Sequence, residues 1–109
     1  MGKDRTSFGE QKQVRDKEEL KEPSLYKVLL HNDDYTTMDF VIMVLETVFN
    51  KDTTEATRIM LNVHNQGVGI AGVYTREIGE TKIGVVHDMA RKNQYPLKCC
   101  LLYTSDAAD

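Results

Sequence analysis

Asn32, Asp33 and Asp34 stand side by side, straight after an apolar run from Tyr26 to Leu30 and just before an amphipathic stretch. Short polar acceptors at such a junction lie on a connection between two rigid elements, where a scaffold holds them at the surface. Two carboxylates and an amide beside apolar residues make a poor core. They make a good receptor for a cation with an apolar neighbour. His64 closes a second amphipathic stretch and can add a ring nitrogen.

Three chemistries compete for this cluster. The first is a metal site built from His31, Asp33, Asp34 and His64. Asn32, Asp34 and Thr36 imitate the first odd positions of a calcium loop, but Thr37 stands where that loop needs Gly and Met43 where it needs Glu. No HExxH or similar His pair occurs for a transition metal. The second is hydrolysis by Asp33 or Asp34 with His64, which needs a nucleophile held by a base. No GxSxG is present, and no catalytic residue, metal or cofactor is assigned. The third is capture of a protonated amine, because charge-assisted bonds from ammonium to carboxylate are strong. Met38, Val41, Met60 and Val63 then fall on the two following helices and could line an apolar pocket beside the amine. The same four residues also fit plain core, and helical apolar stripes usually are core.

The elements that must position these residues follow from periodicity. A strand is expected over Leu25 to His31, with Tyr26, Val28 and Leu30 on one face. A helix from about Thr37 to Phe49 carries Phe40, Val41, Val44, Leu45, Val48 and Phe49 at helical spacing. Thr36 and Asp39 have the spacing of its capping pair, and Asp52 with Glu55 that of the next helix. That helix buries Ala56, Ile59, Met60 and Val63 and stops at Gly67. Val68 to Thr75 reads as a strand in which Gly69 and Gly72 alternate with Val68, Ile70 and Val73. A helix over roughly Arg76 to Asn93 has Ile78, Lys82, Val85, Val86, Met89 and Ala90 as its stripe. Pro96 precedes a last strand, Leu97 to Leu101. The order β-α-α-β-α-β predicts a small α/β sandwich, an α+β arrangement with three helices on one face of a three-stranded sheet.

The chain has 109 residues, 40% of them hydrophobic, which suits one domain with a modest core. A net charge of −3 argues against binding a nucleic-acid backbone. No apolar run approaches the roughly 20 residues that span a bilayer, and no signal-peptide core opens the chain. Cytoplasmic residence is the expectation, with no nucleic acid and no membrane among its partners. Residues 1–22 carry twelve charges, six of each sign, and read as a flexible N-terminal extension. Residues 23–99 form the expected core domain. Cys99 and Cys100 are adjacent and suit neither a disulfide framework nor zinc. Residues 100–109 resemble the translation of a sequencing adapter read into an open reading frame, and are expected to be non-native.

PSLYKVLLHNDDYTTMDFV, ATRIMLNVHNQG, AGVYTREIGETK and the Pro96-Leu97 step together resemble the bacterial ClpS adaptor family over about residues 23 to 99. NDDYT-x-M-x-F-V followed by M-x-x-V-H-x-x-G is a specific combination. The resemblance implies a monomeric adaptor of the N-end rule pathway that binds proteins with N-terminal Leu, Phe, Tyr or Trp and delivers them to the N-domain of a ClpA-type unfoldase. It would hydrolyse nothing itself. It implies that Asn32, Asp33, Asp34 and His64 hold the α-amine of the N-degron. Thr36, Met38, Val41, Met60, Val63 and Leu97 would line the side-chain pocket, with Met38 as a gate against β-branched first residues. Tyr74, Thr75, Glu77 and Lys82 would meet the unfoldase, and the N-terminal extension would engage it during hand-off. Thr37 stands where the family usually has Pro. A ribosomal stalk protein's C-terminal domain shares the architecture, but the acidic loop with His64 separates the two.

Overall fold

The computed structural model describes residues 23–104. The expected extension and the last five residues lie outside that range. Six elements follow in order: β1 (Leu25–His31), α1 (Met38–Thr47), α2 (Thr53–Gln66), β2 (Val68–Thr75), α3 (Arg76–Lys92) and β3 (Lys98–Tyr103). β1 lies in the middle of a three-stranded sheet, pairing antiparallel with both neighbours in the order β2-β1-β3. The three helices cover one face, as the apolar patterns require.

The core gathers Val28 and Leu30 of β1 with Phe40, Val41, Val44 and Leu45 of α1. Ala56, Ile59, Met60 and Val63 join from α2, and Val86 and Ala90 from α3. The α2 boundaries match the sequence signals. Asp52 accepts from the Glu55 amide at 2.8 Å, and Gly67 ends the helix at φ 90°, a left-handed conformation that favours glycine.

Helix α1 starts differently from expectation. Thr37, not Thr36, is its N-cap, with Oγ1 accepting from the Phe40 amide at 3.1 Å. Thr36 is drawn back to Asp33, which leaves Thr37 to take the cap. The helix ends at Thr47, short of the expected Phe49, and Asn50 turns the chain at φ 57°. Val48 and Phe49 stay in the core although they follow the helix.

Two elements expose part of their aliphatic pattern. In β2 the aliphatic residues Val68, Ile70 and Val73 are exposed, while Gly69, Ala71 and Gly72 turn inward. The cause is the closeness of α2. A Cβ on Gly69 would lie 2.7 Å from a Val63 methyl and 3.3 Å from the Ile59 carbonyl oxygen. A bulge also places two successive inward residues. Val28 pairs with Gly72 and Leu29 with Ile70, so Ala71 has no partner across the pair. In α3 the buried positions are Gly79, Val86 and Ala90, with Ile83 packed beside them. Ile78 and Val85, expected in the stripe, are exposed. The inward face is set by Gly79, where a Cβ would come 2.7 Å from the Leu101 side chain.

The last strand starts one residue later than expected, at Lys98, and runs to Tyr103. Cys100 to Tyr103 therefore pair with β1 without a break. Strand pairing uses main-chain groups, so β1 accepts this sequence whatever its origin. The adapter-derived origin of residues 100–109 remains a proposal from sequence.

Replacing Gly69 with Ala should destabilise the fold by about 1–3 kcal/mol, because α2 must move to admit the methyl. Urea unfolding measures this, and an unchanged midpoint and slope would contradict so close an approach.

Candidate functional site

The loop after β1 is organised by one carboxylate. Asp33 Oδ1 accepts from the amides of Tyr35 at 2.7 Å and Thr36 at 2.6 Å, and Oδ2 accepts from Thr36 Oγ1 at 2.7 Å. Burial works to raise the Asp33 pKa. The bonds from Thr36 and Tyr35 outweigh it and hold the carboxyl below its ordinary range. Asp33 thus shapes the loop rather than standing free as a base, which weakens the hydrolytic reading. The Asn32 amide donates to the Gly67 carbonyl at 3.0 Å and ties the loop to the end of α2.

This tie brings His64, in the last turn of α2, to the loop. A cavity of about 490 Å3 opens between the loop, α1 and α2. Its wall includes Asn32, Asp33, Asp34 and His64, together with Thr36, Met38, Val41, Met60 and Val63. Asn32, Asp34 and His64 are exposed, so their polar atoms can reach a ligand. Val41, Met60 and Val63 are buried and give the cavity an apolar wall. Met38 is 46% exposed, as a residue at the rim would be. Side chains that double as core therefore also show a surface to the cavity, so the plain-core and pocket readings are not exclusive.

Leu97 is the exception. It is 3% exposed, shares the buried cluster with Val41, Met60 and Val63, and is not part of the cavity wall. It sits just before β3, where packing draws its side chain into the core. Two wall residues, Tyr35 and Thr37, were missed as pocket candidates. Tyr35, lying inside the acceptor cluster, was the available signal. Tyr95 was missed as a support. Its ring lies 4.8 Å from that of Phe40, and its hydroxyl is 3.5 Å from Thr37 Oγ1.

His31, considered as a metal ligand, does not line this cavity. Its Nε2 lies 2.9 Å from Cys100 Sγ across the sheet. Among the described residues no three His, Cys, Asp or Glu side chains gather as a metal site. Cys99 is buried, and desolvation pushes its thiol up to about 12, which keeps it protonated and inert.

The expected docking residues meet at a different place, where β2 runs into α3. Lys82 Nζ donates to the Val48 carbonyl at 2.8 Å, at the C-terminal end of α1. The ammonium also lies 5.3 Å from the Tyr74 ring and 5.9 Å from that of Phe49. Thr75 is the N-cap position of α3, and Glu77 is exposed in its first turn. Glu77 and Lys82 line one shallow depression with the exposed Ile78. The four residues share a corner, and none of them lines the cavity.

The sequence model of the family described as ATP-dependent Clp protease adaptor protein ClpS matches residues 21–100. The chain belongs to the ClpS family. It is 67% identical over 79 residues to the ATP-dependent Clp protease adapter protein ClpS of Desulfatibacillum aliphaticivorans, covering 72% of this chain and 76% of that one. Identity to the ClpS of Syntrophus aciditrophicus (strain SB) is 50% over 95 residues, 87% of this chain and 89% of the relative. Among solved structures, Agrobacterium tumefaciens ClpS2 bound to L-phenylalaninamide superposes with a TM-score of 0.73 at 36% identity. That match covers 76% of this chain and the whole of ClpS2. The chain is thus an adaptor of the Clp protease and not itself an enzyme. No helix among the described residues is long and apolar enough to cross a membrane.

The lowered Asp33 pKa has a stability consequence. A carboxyl with a folded pKa below its unfolded value stabilises above the unfolded pKa, and the gain is lost as pH falls through the folded pKa. The stability gap between the wild type and Asp33→Ala should be constant near neutrality and shrink in acid, below the ordinary carboxylate range. Urea unfolding over a pH series tests this; a gap that persists undiminished at pH 2–3 would refute the brace as an ionised one.

Proposed function

We propose that this ClpS-family adaptor captures proteins by an N-terminal Leu, Phe, Tyr or Trp and delivers them to a ClpA-type unfoldase. It would act as a monomer in the cytoplasm. One observation carries the reading: a single cavity has acidic and amide acceptors with His64 at one side and buried Val41, Met60 and Val63 at the other. A protonated α-amine and a large apolar side chain on the same carbon match those two sides. L-phenylalaninamide, the ligand of the Agrobacterium ClpS2 structure, has that combination, with an amide where a peptide would continue.

The roles divide by geometry. Asn32, Asp34 and His64 present exposed polar groups to the ammonium, directly or through water. Asp33 contributes charge and holds the loop in shape. Thr36 and Met38 frame the way in, and Leu97 backs the apolar wall from within the core. The corner of Tyr74, Thr75, Glu77 and Lys82 is left to meet the unfoldase N-domain, and residues 1–22 to engage it during hand-off.

The magnitudes suffice. Each hydrogen bond to a charged amine contributes about 1.5–3 kcal/mol. Burying a Leu or Phe side chain adds about 1.5–3 kcal/mol. After the cost of immobilising a peptide end, roughly micromolar or tighter binding follows.

Acetylating the amine removes its charge and adds bulk. Affinity for a Leu- or Phe-first peptide should then fall by about a hundredfold or more in fluorescence titration, as loss of two charged bonds requires. Equal binding of free and acetylated peptides would end the amine-capture reading. The Met38 gate is tested separately. Met38→Ala should widen the rim and bring Ile- and Val-first peptides to within about tenfold of Leu, since one added methyl is a small term once space exists. Unchanged discrimination would mean that Met38 is only a wall.

A further inference from the structure

The cavity does not end at the loop. A second depression of about 480 Å3 shares Asn32, Asp33, Asp34 and Tyr35 with it and reaches Pro96 and Lys98. A third, of about 360 Å3, shares Pro96 and Lys98 with the second and continues to His87, Arg91 and Tyr95. Two contacts hold this line together. Lys98 pairs with His31, at the base of the loop, across β1 and β3. Thr37 on the wall of the first cavity reaches the hydroxyl of Tyr95, on the wall of the third, at 3.5 Å.

The charge changes sign along the way. Asp33 and Asp34 dominate the loop. Beyond Pro96, Lys98 and Arg91 are both exposed. Arg91 bonds Asp88 Oδ1 at 2.9 Å, and Lys92 lies 3.4 Å from Oδ2 of the same carboxylate. Arg91 and Lys92 thus share one carboxylate, and Lys98 adds a further positive charge on the groove wall, which leaves the groove positive. His87 is held at the groove wall, its Nε2 accepting from the Cys99 amide at 3.1 Å. Ala90 and Leu97 supply an apolar floor.

We infer that the polypeptide behind the captured first residue leaves the amine cavity along this line, over Pro96 and Lys98 to Arg91. The groove there selects substrates with acidic residues at about the fourth to sixth positions. The inference rests on the amine-and-side-chain reading of the first cavity. An extended chain advances about 3.3–3.6 Å per residue. A depression the size of the second takes two or three residues, which brings the fourth over Lys98. Exposed ion pairs of this kind are each worth roughly two- to fivefold in affinity and are weakened by salt.

The test uses the full chain and labelled Leu-first peptides identical except at positions four and five, which carry Glu-Glu, Gln-Gln or Lys-Lys. Each affinity is taken as a ratio to the Gln-Gln peptide on the same protein. With the wild type at low salt, Glu-Glu should bind about five- to tenfold tighter than Lys-Lys, and the ratio should shrink at high salt. In Arg91→Glu/Lys98→Glu the order should reverse. A Glu-to-Lys ratio that the double substitution leaves within about twofold of the wild-type value overturns the track while the amine cavity stands. Acetylated Gln-Gln peptide binding as well as the free form would instead overturn the amine reading, and the track with it.

Discussion

One backbone hydrogen bond joins the two halves of the candidate binding cavity. The Asn32 amide, at the end of β1, donates to the carbonyl of Gly67, where α2 has just ended. Without that join the acceptor loop would hang from the sheet alone, and His64 would belong to a neighbouring helix end. With it, the left-handed turn at Gly67 fixes where the last turn of α2 stands relative to Asn32, Asp33 and Asp34. Asp33 then finishes the loop by gathering the Tyr35 and Thr36 amides, which releases Thr37 to cap α1. The polar side of the cavity is thus rigid before any ligand arrives. That preorganisation favours affinity, because little order remains to be imposed on binding.

The apolar side costs the fold nothing extra. Val41, Met60 and Val63 would be buried on α1 and α2 in any case. The cavity uses a part of the core that the loop leaves uncovered. A binding surface of this kind keeps its shape because core packing holds it, and its residues answer to stability as well as to recognition.

Much of this was readable from residue types. β1, β2 and α2 carry their boundaries in alternation, in Asp52 and in Gly67, and the structure places them there. The start of α1 was less legible. Thr36 and Thr37 offer the same hydroxyl, and only the competing bonds to Asp33 decide which of them caps. The inward face of β2 was left open, and Ile78 and Val85 of α3 were placed inward wrongly, for a shared reason. Hydrophobicity marks Val73, Ile78 and Val85 as inward, yet it is the absence of a side chain at Gly69 and Gly79 that lets elements approach. Periodicity counts what is present and overlooks the space a glycine vacates. Within the site, the acceptor cluster and His64 stood out by chemistry. Leu97 and Tyr95 act through packing from distant positions, which no local pattern records.

The bulge opposite Val28 and Leu29 has a further consequence, one of solubility. β2 is an edge strand, and its outward face carries Val68, Ile70 and Val73. An exposed edge with aliphatic side chains is a template on which another chain can add a strand and seed aggregation. The unpaired Ala71 bends that strand and sharpens its twist, so a straight incoming strand cannot match its hydrogen-bond spacing along the whole edge. An irregularity that first serves close helix packing also makes the β2 edge a poorer template for strand addition.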